Sequence, residues 1–126
     1  RQDTSVTRVL ELSRTAVATI TGVGGTQVTG SSVRSGLYSP SAISTIAELG
    51  GAGDMLGEWF DADGRVVPQA TSDRRIGMDL AELATMPHVI GVAAGVEKAT
   101  AIRAAVLGGY LDVLITDEPT AELLLA

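Results

Sequence analysis

The sequence predicts an α/β fold with a mostly parallel sheet. The clearest indication is the stretch 86–119, in which two short apolar runs flank a helical pattern. Residues 88–94 and 111–115 have the length and the valine and isoleucine content of buried strands. Between them, residues 97–107 place their apolar side chains on one helical face and end at a glycine pair. Two strands joined by a helix form a βαβ unit, so we expect these strands to be parallel.

The first third of the chain predicts one helix and one strand of this fold. Asp3 or Thr4 caps a helix that runs to about residue 14. Residues 16–20 form a short strand, which ends in a glycine-rich turn and a polar loop over 26–36. A glycine-rich strand end of this kind is more often an ordinary turn, and the alternative is the start of a ligand-binding loop.

The middle of the chain predicts a helix and a hairpin. Ser39 caps a helix over 40–49, because serine followed by proline is a common helix start. Residues 55–60 are predicted as one strand. The tight turn at 61–64 then leads into a second strand over 65–67.

The last third supplies two more helices around the βαβ unit. Asp79 caps a short helix to about residue 86, and Thr116 or Asp117 caps a final helix from about 118. A parallel sheet of three or four strands would leave apolar surface exposed. The sequence therefore predicts a partial domain, completed by further chain or by a partner.

Composition excludes several classes of function. The net charge of −6 and the low pI of 4.6 argue against direct contact of these residues with DNA or an anionic membrane. Cysteine is absent and His88 is the single histidine, so neither a thiolate nor a histidine metal site is expected. We assign His88 a packing role at a strand start. Without a signal peptide or an apolar run of membrane length, a cytoplasmic domain is expected.

Lys98 is the only lysine in the chain. It falls in the first turn of the predicted helix 97–107, where free backbone N–H groups already favour an anion. Two interpretations stand. Lys98 and the helix terminus hold a phosphate or carboxylate together, or Lys98 is a solvated surface residue balanced by Glu97.

Asp54 is the most informative member of an acidic group that also contains Glu58, Asp61 and Asp63. It follows a glycine-rich loop, where backbone can approach a ligand and a carboxylate can accept hydroxyl groups. Asp54 and Glu58 could share one face of a strand. Asp61 and Asp63 fit a turn better than a calcium loop, because the required ligand spacing is missing.

The glycine-rich turn Gly22-Val23-Gly24-Gly25 resembles the start of a phosphate-binding loop. The dinucleotide fingerprint fails at its sixth position, which is Gln27, and no P-loop occurs. No cofactor is therefore expected. Arg34, in the polar loop that follows, could supply a second cation for an anionic ligand.

Three ordered motifs together resemble the effector-binding domain of SorC-type sugar-responsive transcriptional regulators. They are AVATITGVGG, AELGGAGDMLGEWFDADGRVV and VIGVAAGVEKATAIRAAVLGGYLDVLITDEPTA. The resemblance covers nearly the whole chain. It implies a Rossmann-like three-layer sandwich, of which residues 1–126 form the C-terminal portion. The family's helix-turn-helix reader would lie outside this chain.

The resemblance also implies roles for individual residues. Lys98 matches a lysine that contacts the effector's phosphate or nearby oxygens, although its segment reads AAGVEK and has lost one glycine. Asp54 matches a carboxylate that accepts effector hydroxyls, and Arg34 is the nearest match to a phosphate-binding arginine. Gly24 and Gly95 complete the candidate effector-binding set at their respective turns.

By this resemblance the chain is expected to be the effector-binding segment of a regulator that senses a sugar, of which the expected form is phosphorylated, and that controls carbohydrate-metabolism genes. The expected assembly is a homodimer or homotetramer that contacts DNA through the absent reader and contacts no membrane. The alternative is a sugar-phosphate isomerase or deaminase on the same fold, with Asp54 or Asp117 as general base. A third interpretation is an oligomerisation module without a ligand.

Overall fold

The computed structural model describes residues 3–126 as two small β-sheets and six α-helices. The strands are β1 (Thr19–Gly22), β2 (Gly24–Gly25), β3 (Gly53–Met55), β4 (Glu58–Phe60), β5 (Val89–Val92) and β6 (Val113–Ile115). The helices are α1 (Thr4–Ser13), α2 (Ser31–Arg34), α3 (Pro40–Glu48), α4 (Leu80–Leu83), α5 (Ala99–Leu107) and α6 (Glu118–Leu125). Two 3-10 turns lie at Pro68–Ala70 and Val96–Lys98.

The parallel sheet has the order β1-β5-β6, and this confirms the predicted βαβ unit. Strand β1 begins at Thr19, later than the predicted strand 16–20. The reason is local, because the N–H of Ala16 still donates to the carbonyl of Ser13 in the turn that ends α1.

The two faces of the parallel sheet differ. Its register places alternate residues of the three strands in rows on the same face. One face is open and carries the exposed apolar side chains of Ile20, Val92, Val113 and Ile115. On the other face Val89 is buried and Leu114 packs against the core that includes Ile102 of α5. The expected apolar exposure is thus present, and residues 3–126 cover one face of the sheet rather than both.

The antiparallel sheet, with the order β2-β3-β4, was only partly predicted. The single strand predicted over 55–60 is wrong, because the chain reverses at Leu56-Gly57. Both residues have positive φ, 55° and 77°, which suits a tight hairpin turn. The predicted turn at 61–64 is also present, since Asp61 N–H donates to Arg65 O at 2.8 Å and Phe60 pairs with Val66.

Helix starts followed the sequence signals more closely than helix ends. Asp3, Ser39 and Asp117 cap α1, α3 and α6 with their side chains, and Asp79 forms a capping box with Glu82 on α4. Helix α4 is shorter than predicted and ends at Leu83 rather than near residue 86.

The packing role assigned to His88 is wrong. The side chain of His88 is exposed, and its backbone has a positive φ of 50°. Its contribution is a backbone one, because its carbonyl accepts the N–H of Thr19 at 3.1 Å and so extends the pairing of β1 with β5.

Buried side chains form two separate groups. The main core lies between the parallel sheet, α4, α5 and the hairpin, and it includes Phe60 and Ile102. The Trp59 cluster consists of the buried Ile43, Ile46 and Trp59, with Val33, Tyr38 and Ala70 packed against them. Trp59 and Phe60 are consecutive on β4, so strand alternation directs one side chain into each group.

Candidate functional site

A cavity of about 530 Å³ lies beyond the carboxyl ends of β1 and β5, where the two sheets meet. This is the edge at which open α/β sheets bind ligands. Its lining combines glycine backbone, hydroxyl groups, one carboxylate, one amine and a few apolar side chains. The lining residues are Thr21, Gly22, Val23, Gly24, Gly25, Gln27, Gly30, Ser31, Ser32, Ser35, Leu37, Asp54, Met55, Leu56, Val92 and Lys98.

Asp54 enters the cavity from β3, where it lies opposite Gly24 of β2. A Cβ atom built on Gly24 would lie 2.0 Å from the Asp54 Oδ1 atom, so only glycine leaves room for this carboxylate. Burial raises the pKa of Asp54, while the Gly57 N–H and the charge of Lys98 act in the opposite direction. The carboxylate is therefore a desolvated acceptor that gains from a hydroxyl partner.

Lys98 lines the same cavity from the end of the Val96–Lys98 turn. Its N–H donates to Gly95 O at 2.9 Å, and the residue directly precedes α5. Helix α5 begins two residues later than predicted, so Lys98 is its N-cap residue and does not lie in its first turn. Within residues 3–126, Lys98 is the single cationic side chain of the lining. Its charge acts on Asp54 to lower the pKa of that carboxyl, against the larger effect of burial, which raises it.

Gly95 shapes the turn that carries Lys98. It has a φ of 111°, and its N–H donates to Asp117 Oδ2 at 3.0 Å and to Thr120 Oγ1 at 3.2 Å. Hydrogen bonds from Thr120 lower the pKa of Asp117, which thereby caps α6 as an ionised group. The segments 94–98 and 116–118 lie side by side, but Gly95 is absent from the described cavity lining and its N–H is engaged within the protein.

Helix α2 and its C-cap residue Ser35 contribute three serine residues, called the serines of α2 below, that sequence reasoning missed. Ser31, Ser32 and Ser35 line the cavity from a segment that had been predicted as a polar loop. The i, i+1, i+4 spacing would have placed them on one side of a helix, and this was the available signal. Arg34 lies on the same helix, but its side chain is exposed and is absent from the lining in the described chain.

Gln27 is a further lining residue that sequence reasoning missed, and no sequence signal indicated it. Its Nε2 donates to the carbonyl of Glu97 at 2.7 Å, across 70 positions of sequence. The hydrogen bond joins the loop after β2 to the turn that carries Lys98.

The other acidic residues serve the fold. Glu58 Oε2 accepts the N–H of Leu80 at 2.7 Å and lies 3.7 Å from Arg75 Nη2. The register pairs Asp54 with Trp59 and Met55 with Glu58, so Glu58 and Asp54 lie on opposite faces and the predicted shared face is wrong. Asp61 accepts two turn N–H groups at 2.9 Å each, and this confirms its turn role.

Residues 3–126 contain no acidic or histidine cluster suited to a metal ion. No helix in that range is long and apolar enough to cross a bilayer.

Taken together, the lining suits a small polar ligand rich in hydroxyl groups. One ammonium and one carboxylate, together with serine hydroxyls, offer both donors and acceptors around a glycine-walled space. Apolar side chains such as Leu37 and Val92 supply the contact surface that most small-molecule sites require.

Comparison with protein families gives one model that matches residues 1–126, described as "Putative sugar-binding domain". Two curated relatives are similar over almost all of the chain. The erythritol catabolism regulatory protein EryD of Brucella abortus is 38% identical over 120 residues, which cover 95% of this chain and 38% of that protein. The transcriptional regulator LsrR of Klebsiella pneumoniae is 37% identical over 129 residues and is covered to 40% of its length. The chain thus spans about two fifths of these relatives.

Solved structures give the same result for the fold. A DeoR family transcriptional regulator from Listeria monocytogenes has a TM-score of 0.91 at 27% identity, covering 98% of this chain and 50% of that one. A sugar-binding domain of a DeoR regulator from Pseudomonas syringae pv. tomato has a TM-score of 0.71 at 34% identity, covering 94% of this chain and 43% of that one. The full-length sorbitol operon regulator SorC of Klebsiella pneumoniae, at 24% identity and a TM-score of 0.86, shares the fold over 99% of this chain and 41% of its own.

Proposed function

This chain belongs to the sugar-binding domain family, and from that membership we propose that its cavity binds a sugar or sugar phosphate as the effector of a transcriptional regulator. The observation that carries the proposal is the meeting of Asp54 and Lys98 in one glycine-walled cavity. A half-buried carboxylate and an amine at a helix start are complementary to hydroxyl groups and to an anionic group, respectively.

In this proposal the lining residues contact different groups of the ligand. Asp54 accepts hydroxyl hydrogens and is fixed beside Gly24, while the serines of α2 contact further hydroxyls. Lys98 contacts the phosphate of a phosphorylated sugar or the oxygens of a neutral one. Arg34 and Gly95 are left out of the proposed contacts, because one is exposed and the other is bonded to Asp117 and Thr120.

For the whole protein we propose a regulator of carbohydrate metabolism, on the ground that the curated relatives are named as regulators. Residues 1–126 would form the C-terminal portion of its effector domain, and a separate helix-turn-helix would contact DNA. The ligand would favour one packing of a homodimer or homotetramer in the cytoplasm and so shift its affinity for an operator.

Thermal unfolding of the full-length protein tests the binding proposal. The probes are erythritol, erythritol 4-phosphate, ribose 5-phosphate, glucose 6-phosphate and inorganic phosphate. A probe at about 100 times its Kd adds about 2.7 kcal/mol, which raises the Tm by several degrees. No rise with any probe, in a protein that unfolds cooperatively, would contradict the proposal.

Two variants of Lys98 separate its charge from its bulk. We expect Lys98→Met to weaken binding of a phosphorylated probe by about tenfold or more, as loss of a charged hydrogen bond does. Lys98→Arg keeps the positive charge and should retain most of the affinity for the same probe. Equal affinity in the wild type and Lys98→Met would remove Lys98 from the proposed site.

Binding without catalysis is the form of the function that the geometry favours. Asp117, the second candidate base, caps α6, and each of its carboxylate oxygens already accepts a backbone N–H, from Gly95 or from Thr120. NMR spectra of ribose 5-phosphate and glucose 6-phosphate incubated with the protein should show no conversion. Turnover that disappears in Asp54→Asn would favour the isomerase or deaminase alternative.

A further inference from the structure

We propose that Gln27 is a positioning residue for Lys98: its side chain fixes the turn 95–98 and thereby the place of the Lys98 amine in the cavity. The inference rests on the proposed function, in which Lys98 contacts the ligand. Gln27 Nε2 donates to the carbonyl of Glu97, the residue before Lys98, at 2.7 Å. Both Gln27 and Lys98 line the cavity.

The backbone around Gln27 is shaped for this contact. A Cβ atom on Gly25 would lie 2.2 Å from Gln27 Oε1, so the glutamine side chain folds back over a residue that has none. The same arrangement occurs at the other end of the contact, where a Cβ on Gly95 would lie 2.4 Å from Glu97 Oε1. Gly25 therefore leaves room for the glutamine side chain that makes the hydrogen bond, and Gly95 leaves room for the side chain of Glu97.

The turn is held from a second side as well. Asp117 and Thr120 of the α6 start bind the N–H of Gly95, at 3.0 and 3.2 Å. Gln27 binds the carbonyl of Glu97, two residues later. A turn bound at both points has little freedom, so Lys98 starts from a defined backbone position when a ligand enters.

Hydrogen exchange of the full-length protein, followed by mass spectrometry, tests the positioning role without any ligand. Gln27→Met removes the donor at similar length. Gly25→Ala keeps the amide but displaces it. We expect each variant to speed exchange in peptides that cover 95–99 by about threefold to tenfold, with exchange over 89–92 unchanged. Exchange at 95–99 equal to the wild type in both variants would overturn the inference.

A double-mutant cycle tests whether Gln27 acts through Lys98. The probe is erythritol 4-phosphate, and the proteins are the wild type, Gln27→Met, Lys98→Met and the double variant. Gln27→Met should weaken binding about threefold to tenfold when Lys98 is present and have no further effect when it is absent. Additive losses would overturn the positioning role, since they would mean that Gln27 acts on the ligand independently.

The exchange experiment and the binding experiments distinguish failure of the positioning role from failure of the proposed function. If erythritol 4-phosphate and every other probe fail to bind the wild type, the proposed function fails while the exchange experiment still decides the role of Gln27. If a probe binds but the exchange at 95–99 is insensitive to Gln27→Met and Gly25→Ala, the positioning role fails alone.

Discussion

The main core and the Trp59 cluster support different walls of the cavity, and they differ greatly in size. The main core buries thirteen residues and carries β5, α5 and the turn with Lys98. The Trp59 cluster buries three, and through Val33 and Tyr38 it supports the segment that carries the serines of α2. Since local opening is easiest where few apolar contacts hold a segment, we expect the serine wall to open more readily than the Lys98 wall.

This difference suggests how one cavity can be both formed and accessible. The Lys98 wall is fixed by regular packing and by hydrogen bonds at the start of α6. The serine wall depends on a small apolar group and on the edge-on contact of Tyr38 with Trp59, whose ring centroids are 5.8 Å apart. The general lesson is that a site can combine a rigid half with a half of lower local stability.

The strongest test of this comparison uses the adjacent residues of β4. Phe60→Ala and Trp59→Ala each remove a fully buried aromatic side chain. Each should lower the stability of the region that the side chain supports by about 3–5 kcal/mol. We expect Phe60→Ala to lower the free energy of global unfolding, measured by denaturant titration. Trp59→Ala should mainly speed hydrogen exchange over 31–48. The same exchange pattern in both variants would mean that the two groups unfold as one unit.

A smaller effect is expected from the glycine that accommodates Asp54. Gly24→Ala places a methyl group 2.0 Å from Asp54 Oδ1, so the carboxylate must move away from its position. Loss of a hydrogen bond to a charged group weakens affinity for a bound polyol or sugar phosphate by about tenfold to a hundredfold, measurable by calorimetry. Gly22→Ala is the matched control in the same lining, because its Cβ would meet nothing nearer than Val92 O at 3.8 Å. Equal losses in both variants would contradict the specific role of Gly24.

The smallest effect concerns the pH dependence of stability. Burial raises the pKa of Asp54 above its ordinary value of 3.8, so the folded state binds this proton more tightly than the unfolded state does. The wild type should therefore lose stability relative to Asp54→Asn as the pH rises above about 3.8, with the whole difference reached once the folded carboxyl is ionised. Tm values of both proteins between pH 4 and pH 8 measure this difference.

The same variant should bind sugar effectors more weakly while being at least as stable at neutral pH. A wild type that instead gains stability over Asp54→Asn with rising pH would show that Lys98 and the Gly57 N–H outweigh the burial of the carboxylate.

The sequence predicted the half of the fold that rests on hydrophobic pattern. Strands β5 and β6 and helix α5 were found because apolar runs and a glycine stop define them, and Lys98 was found with them. The half of the fold built on the antiparallel sheet was harder to predict from the sequence. Strand β2 is Gly24–Gly25 and has no side chains to form a pattern, and the turn at Leu56-Gly57 puts a leucine where asparagine or aspartate is the usual signal.

The residues of the candidate site were also predicted only in part. Asp54 and Gly24 were selected for their loops and do line the cavity, together with Lys98. Gln27 escaped notice because its contact with Glu97 spans two loops whose approach no local pattern indicates. Arg34 was selected by charge, but the turn that forms α2 directs it to solvent while the serines beside it line the cavity.

Trp59 gives the protein an optical property of its own. It is the only tryptophan in the chain, it is fully buried, and its Nε1 lies 3.4 Å from the Tyr38 hydroxyl. The fluorescence of this chain excited near the red edge of protein absorption therefore comes from the small cluster alone. A stopped-flow trace of that emission would time the opening and closing of the serine wall while the parallel sheet behind Lys98 remains intact.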